Sequence, residues 1–498
     1  MTVAELLREV APSAAAETAV ARAIECSGIA YDSRRVSPGE IFVALPGRQA
    51  DGVAFAGAAI AAGAAAIVAE RPAEAAVSVP WVTVPDARLA LAALSGAFFG
   101  HPSRELRVVG VTGTNGKTTV SYLVRAILDE AGQSCGLIGT VGYGVGEQAV
   151  AATRTTPEAP DLQRLLREMV AAGCRACAME VSSHALALRR ADGTRFAGAV
   201  FTNLTRDHLD FHAGMEDYFA AKRRLFEMLP PDTPAVVNGD DPHGAAMASA
   251  ASRPITYAIN RAADVRPGPV SYSLAGLEFD VRGPEQTIQV RSRLVGRPNV
   301  YNILAAVAVT VGLGVPLAAV EAGLRRLAGV PGRFEVVSGA ADDVTLVVDY
   351  AHTDDALRNL LETARPLARN RIVTVFGAGG DRDRTKRPLM GMVAARLSDL
   401  VVLTSDNPRG EDPERIIEEV RRGAEPETRR GGADIVSMPD RREAIFHAVR
   451  LARPGDMVLV AGRGHEQHQE IAGRVVAFDD ALVAREALEV RRLSLRAG

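Results

Sequence analysis

Lysine is almost missing from this chain. Of its 57 basic residues only three are lysine, Lys117, Lys222 and Lys386, and the rest are arginine. Arginine therefore serves wherever a positive charge or a long amphipathic stem is enough. The three lysines mark places where a guanidinium fails. An amine is a compact point charge that can be chemically modified, whereas arginine is a planar fork and no usable nucleophile. Chance survival explains any one of them, and explains less well that one falls in a phosphate-loop pattern.

Cysteine is scarce too. Four cysteines in 498 residues are too few for a disulfide scaffold. Cys174 and Cys177 have metal-ligand spacing, but residues 176–181 read as a buried strand, on which residues three apart face opposite sides. Reduced thiols in a cytoplasmic protein are the expectation. Aromatic residues make up 5% and the net charge is −3, which argues against a basic, base-stacking nucleic-acid surface. The longest apolar run, residues 303–320, is broken by Gly312, Gly314 and Pro316 and reads as a buried helix plus turn, not a membrane span. The start, residues 1–9, is acidic and amphipathic and lacks the basic-then-apolar pattern of a signal peptide.

What the chain does have is alternation of strands and helices. Its length predicts about three domains. Turn-rich segments at 101–107 and 328–333 place the boundaries, giving 1–104, 105–330 and 331–498. Strands are expected at 41–45, 66–69 and 82–84, then at 107–111, 176–181, 199–203 and 235–238, then at 345–349, 371–376, 400–404 and 456–461. Residues 270–290 read as β-rich, followed by a helix after Asn299. The fold class is α/β: an N-terminal α/β domain, a central doubly wound P-loop domain and a C-terminal Rossmann-like domain.

Gly113-Thr114-Asn115-Gly116-Lys117-Thr118-Thr119 follows a strand and opens a helix, the context that a phosphate loop requires. Its lysine reaches terminal phosphates and the Thr118 hydroxyl suits Mg²⁺. The strict pattern would place glycine at Val111, so the match is to the Gly-Lys-Thr half. Two further strand ends, Glu180 to His184 and Asn203 to Asp210, fall beside that loop. There Glu180 and His208 supply an oxygen and a nitrogen ligand for Mg²⁺ at ATP. Glycines and acids also cluster at strand ends of the third domain, where such sheets bind ligands.

These motifs, with Asn299-Val-Tyr-Asn302, resemble the Mur ligases, ATP-dependent amide-forming enzymes of peptidoglycan precursor synthesis. Asp32-Ser33-Arg34 and the segment 47–52 resemble the family's nucleotide-sugar domain, and Thr155-Thr156-Pro157 its substrate loop. Asp349 to Thr353, Gly379 to Arg382 and Asp406-Asn407-Pro408-Arg409 resemble its amino-acid domain. The resemblance implies γ-phosphoryl transfer from ATP, with Mg²⁺, to the D-glutamate carboxylate of UDP-N-acetylmuramoyl-L-alanyl-D-glutamate. An amine then attacks the acyl phosphate. It implies adenine contacts at Asn299 and Asn302, and contacts to phosphates and ribose from Arg333 and Asp349 across a domain closure. It also implies a carbamate on Lys222 as a metal ligand. Lys386, just after the Gly379-Gly380-Asp381 turn at the ligand edge of the third domain, reads either as a surface lysine or as a point charge on the transferring group. UDP-sugar dipeptide contacts would come from Tyr31, Ser33, Arg48, Gln49, Ala50, Thr155, Thr156, Ser182 and Arg190. Arg382, Asp406, Asn407, Pro408, Arg409, Gly462 and Glu466 would take meso-diaminopimelate, whose distal carboxylate needs a bidentate cation such as Arg409. The chain departs from the family at Arg154, Leu188 and Pro298. The partners are then small molecules, with neither nucleic acid nor membrane insertion. A lysine-adding or folate-type relative and a silent nucleotide sensor are the alternatives. Phosphate release that depends on both cosubstrates separates the enzyme from the sensor.

Overall fold

A computed structural model describes residues 1–11, 19–47, 50–146, 148–283 and 287–497. Three largely parallel sheets follow one another along the chain. The first has four parallel strands, Gly28–Ala30, Glu40–Val43, Ala66–Ala69 and Trp81–Thr83, paired in chain order. Its two faces are both covered. Ile41, Val43 and Val68 pack with Leu91 and Leu94 of the helix Ala87–Phe98, while Phe42 and Ile67 pack with Ala56 and Ala59 on the other side. Burial on both faces explains why these strands read as apolar runs without alternation.

The central sheet has eight strands in the order Arg253–Tyr257, Pro234–Asn238, Phe196–Phe201, Arg107–Thr112, Ala176–Glu180, Cys135–Ile138, Tyr143–Val145 and Gln148–Val150. The first six are parallel and the last two antiparallel. Arg107–Thr112 thus lies between Phe196–Phe201 and Ala176–Glu180, so three strand ends open together. The helix Lys117–Glu130 buries Val120, Leu123, Val124, Ile127 and Leu128, the i, i+3, i+4, i+7, i+8 stripe of an amphipathic helix. That stripe packs on the apolar helix Arg297–Gly312 and on Leu317–Arg326. The long apolar run therefore resolves into the buried helix Arg297–Gly312, a left-handed turn at Gly314 and the start of the helix Leu317–Arg326, which buries only one face. Among the described residues no helix is long and apolar enough to cross a membrane.

A small antiparallel sheet at 266–292 follows. The last sheet has the order Glu335–Val336, Thr345–Asp349, Met457–Ala461, Ile372–Phe376, Leu400–Leu403 and Asp434–Ser437, parallel except for its first strand. The expected central strands fall within about three residues of these bounds. Six strands and one hairpin were not expected, besides the two-residue edge strand Glu335–Val336. Gly28–Ala30, Cys135–Ile138 and Tyr143–Val145 are short and contain glycine. Gln148–Val150, Arg253–Tyr257 and Asp434–Ser437 are polar or proline-bearing sheet edges, and the hairpin His468–Ile471 with Arg474–Ala477 stands outside the sheets. Cys174 precedes its strand instead of lying on it, and the four cysteines are free thiols.

Candidate active site

The phosphate loop is built by backbone geometry and by its neighbour. Gly113 and Gly116 have φ of 144° and 88°, where a side chain is strained. A Cβ on Gly113 would meet the Thr202 hydroxyl, and one on Gly116 the Asn302 carboxamide. The next strand end fastens the loop. Thr114 N donates to Asn203 O at 2.9 Å, Asn115 N to Asn203 Oδ1 at 2.9 Å, and Thr202 Oγ1 to Asn115 O at 2.6 Å. Lys117 Nζ curls over the loop, donating to Gly113 O at 2.9 Å and Thr114 O at 2.8 Å. Asn302 Nδ2 donates to Asn299 Oδ1 at 2.9 Å, and Asn299 Nδ2 to Val295 O at 2.8 Å, so both asparagines sit beside the loop on one helix. Pro298 occupies the first turn of that helix, where a missing N–H is harmless, which accounts for one departure from the family.

Lys222 lies on the buried face of the helix Met215–Glu227, with Tyr218, Ala221, Leu225 and Phe226. It is 1% exposed. Its helix face is therefore not a solvated one, despite the neighbouring Arg223 and Arg224. Its Nζ donates to Gly113 O at 2.9 Å and sits 4.3 Å from the centre of the Tyr218 ring. Among the described residues no carboxylate pairs with it. A charged hydrogen bond contributes about 1.5–3 kcal/mol and the ring about 2. Burying an unpaired ammonium costs several kcal/mol, so the neutral amine is favoured. Burial, followed by the charge of Lys117, accordingly pushes the Lys222 pKa well down. Burial also lowers Lys117, against the pull of Glu180 and Asp207.

Glu180 is 1% exposed and accepts from Thr140 N at 2.8 Å and Thr140 Oγ1 at 3.0 Å. His208 adopts φ of 55° and its ring lies 4.8 Å from that of His184. Burial drives His208 toward the neutral form, outweighing Asp207. A carboxylate, the Thr118 hydroxyl and a neutral imidazole suit Mg²⁺ chemically. Among the described residues, however, no three His, Cys, Asp or Glu side chains converge as a ready ligand set. A modified Lys222 would add an oxygen donor to the water and phosphate oxygens that Mg²⁺ ordinarily keeps.

The third sheet closes over this loop. Arg333 donates to Thr118 Oγ1 at 3.1 Å and stacks 4.6 Å from the Tyr350 ring centre. Asn115 Nδ2 donates to Asp355 Oδ2 at 2.9 Å. Arg206 donates to Asp383 Oδ2 at 2.9 Å and also meets Thr385. Asp349 is oriented by the backbone, accepting from Phe334 N at 2.7 Å and Ala351 N at 2.8 Å, one bond to each oxygen. The cleft between the loop and the third sheet, about 540 Å³, is lined by Thr114 to Thr119, Glu180, His208, Lys222, Asn299, Asn302, Arg333 and Asp349.

A second cavity, about 1130 Å³, adjoins it and is lined by Arg382, Lys386, Asp406, Asn407, Arg409, Gly462 and Glu466. The two share Thr140, Arg154, Thr155, His184, Asp207, His208, His352 and Arg382 in their walls. Arg409 donates to Gly380 O at 2.7 Å and stands 3.5 Å from Glu470. Pro408 is buried outside this lining, under Gly380. Glu466 accepts from Asn407 Nδ2 at 2.8 Å, and burial, then Asp406, raises its pKa.

The expected dipeptide residues divide. Thr155, Thr156, Ser182 and Arg190 line the loop cavity. Thr156 Oγ1 donates to Glu180 O at 2.8 Å, and Arg190 pairs with Glu158 at 2.8 Å. Arg154 pairs with the same Glu158 at 3.0 Å, and the Leu188 carbonyl accepts from Arg88 at 3.4 Å. Tyr31, Ser33 and Ala50 line neither cavity. Tyr31 instead donates to Asp161 at 3.1 Å, on the helix after the substrate loop. Arg48 and Gln49 lie outside the described residues. Sequence reading missed Asp207, His184, Thr140 and His352. Asp207, His184 and His352 sit inside motifs already quoted, so their signal was present; Thr140 lies in an unmarked segment.

With that geometry in hand, residues 25–99 match the Mur ligase family catalytic domain, 111–310 the Mur ligase middle domain and 332–464 the Mur ligase glutamate ligase domain. The UDP-N-acetylmuramoyl-L-alanyl-D-glutamate--2,6-diaminopimelate ligase of Gloeobacter violaceus is 47% identical over 470 residues, 94% of this chain and 95% of that one. The ligase of the same name from Geobacter metallireducens is 46% identical, covering 96% and 97%. A solved structure of a ligase of that name superposes with TM-score 0.70 at 35% identity, covering 99% of each chain. MurF of Thermotoga maritima in complex with ADP, at 19% identity and TM-score 0.62 over 94% of this chain and 98% of that one, shares the fold.

Proposed function

The chain belongs to the Mur ligase family, and from that premise we propose that it joins meso-2,6-diaminopimelate to the D-glutamate of UDP-N-acetylmuramoyl-L-alanyl-D-glutamate. It is an ADP-forming ligase of peptidoglycan precursor synthesis, working in the cytoplasm on ATP and small soluble substrates. The domain boundaries fall near 104 and 330. A glutamate carboxylate oxygen attacks the γ-phosphorus of ATP, ADP leaves, and an acyl phosphate forms. The diaminopimelate amine attacks the acyl carbon, phosphate leaves, and the amine proton goes to solvent or base.

The observation that carries this reading is the join between the two cavities. Phosphoryl transfer depends on positioning and charge neutralisation more than on covalent help from the protein. Lys117 and the loop amides hold phosphates, and Asn299 and Asn302 face adenine. Arg333 and Asp349 reach the phosphates and ribose from the third domain. Glu180, Thr118, His208 and a carbamate on Lys222 would hold Mg²⁺, which would neutralise the β- and γ-phosphate charge. Lys386, at the start of the helix Lys386–Leu397, faces the acyl phosphate from the second cavity. Thr155, Thr156, Ser182 and Arg190, between the two, hold the dipeptide end. Arg409 and Glu466 take the distal carboxylate and ammonium of diaminopimelate. L-Lysine would leave Arg409 without a substrate carboxylate, paired only with Glu470, and set its own ammonium near a guanidinium, which disfavours it.

A substrate panel tests the reading. Phosphate release should require ATP, the UDP-linked dipeptide and diaminopimelate together, and Arg409→Ala should lose most of the preference over lysine. Comparable kcat/KM for lysine in the unmutated enzyme would overturn the assignment.

A further inference from the structure

Arg463 has no place in the chemistry above, yet it is among the most enclosed side chains in the protein. It lies between Gly462 and Gly464, whose φ values of 114° and 52° turn the backbone so that the side chain points inward. It is 0% exposed. Its nearest carboxylate, Glu466, stands 3.7 Å away, so it is not held by a close ion pair. Its guanidinium instead donates to Asn407 Oδ1 at 2.9 Å, His468 O at 2.7 Å and Phe478 O at 3.3 Å.

The bond to Asn407 sets a direction. Asn407 Oδ1 accepts from Arg463 and also from Glu470 N at 2.9 Å, while its Nδ2 donates to Glu466 Oε2 at 2.8 Å. Two donors converging on one atom require the oxygen end of the amide there. The amino end is thereby forced toward Glu466 and the larger cavity. A flipped amide would set its oxygen against the Glu466 carboxylate and its NH₂ against two donors. Every Asn407 contact thus favours one orientation, and Arg463 supplies half of those on the oxygen.

We propose that Arg463 is a positioning residue for amino-acid selection: by fixing the Asn407 amide it holds Glu466 where the distal ammonium of the incoming amino acid binds. This rests on reading the larger cavity as the diaminopimelate site. The plainer role, bracing the hairpin through His468 and Phe478, makes no distinction among substrates.

Steady-state kinetics of Arg463→Met and Arg463→Lys, each with Glu466 and with Glu466→Gln, separate the two. Arg463→Met should raise KM for diaminopimelate about 10-fold or more while KM for ATP and for the UDP-linked dipeptide stays within about 2-fold. Arg463→Lys keeps one donor and should recover most of the loss. With Glu466→Gln the effect of Arg463→Met should shrink below about 3-fold, because a carboxamide pairs with either amide orientation. If Arg463→Met does not fold, the Lys variant carries the same comparison with a smaller rise. A KM rise shared by all three substrates, or equal in both backgrounds, leaves only the brace. Phosphate release by the unmutated enzyme that ignores diaminopimelate would instead sink the assigned reaction, so the two failures are distinct.

Discussion

Lys222 shows how burial decides chemistry at a single residue. CO₂ adds only to a neutral amine, and burial with Lys117 nearby favours that form. Carbamylation turns this buried amine into an anion with oxygen donors, which the charge of Lys117 attracts where it would repel an ammonium. Lys222→Ala should lose at least about 100-fold in kcat, as removal of preorganised electrostatic groups does, and regain part of it with added short carboxylic acids. ¹³C-bicarbonate should give a carbamate resonance that is missing from Lys222→Arg, and a fully active arginine variant would defeat the idea. His465 makes a separate case. Burial, then Arg333, holds its pKa down to about 4, and its ring packs 5.0 Å from that of Tyr350. Below the ordinary value near 6.5 the unfolded chain takes up a proton that the folded one refuses. That contribution to stability is therefore whole above about pH 6.5 and fades toward pH 4. Denaturant midpoints of His465→Asn should fall less steeply across that window than those of the parent, and parallel curves would refute the assignment.

At the scale of elements, the phosphate loop was legible because its constraint is local. A strand, two glycines of positive φ and a helix start leave a signature that a short window contains. Gly116→Ala should abolish measurable nucleotide binding by calorimetry while shifting the unfolding free energy by only about 1–2 kcal/mol, the strain of a side chain at φ of 88°. Retained nucleotide affinity would show that Asn302 moves aside. The central strands were readable for a similar reason, since burial on both faces makes them apolar runs. The edges were not. Gln148–Val150 is exposed at every position and Arg253–Tyr257 begins with Arg-Pro, so pairing, and not composition, makes them strands. Arg463 was hidden differently. It lies between Gly462 and Glu466, both singled out by resemblance, but nothing in the sequence tells an inward arginine from an outward one. The contacts of Tyr31 were equally out of reach, because Asp161 lies 130 residues away.

At the scale of the whole molecule, the loop cavity exists only because the third domain reaches across it. Arg206–Asp383, Asn115–Asp355 and Arg333–Thr118 are the polar links among the described residues that argue for a closed state. Each joins partners that sequence places far apart, which is why closure came from resemblance and not from local pattern. Half-buried hydrogen bonds of this kind are worth about 1 kcal/mol net, so one link tunes closure without preventing it. Arg206→Ala should lower kcat by about 3- to 10-fold and leave the unfolding midpoint nearly unchanged. Scattering with nucleotide bound should show a larger radius of gyration than for the parent, and identical radii would remove Arg206 from the closure. The three lysines give this closure a reporter. All of them stand on the walls of the two joined cavities, and the rest of the surface offers a lysine-specific protease no cleavage site. Under native conditions cutting after the buried Lys222 requires the structure around the cleft to open, so its rate there counts openings, and substrates that hold the domains together should slow it in proportion to their occupancy.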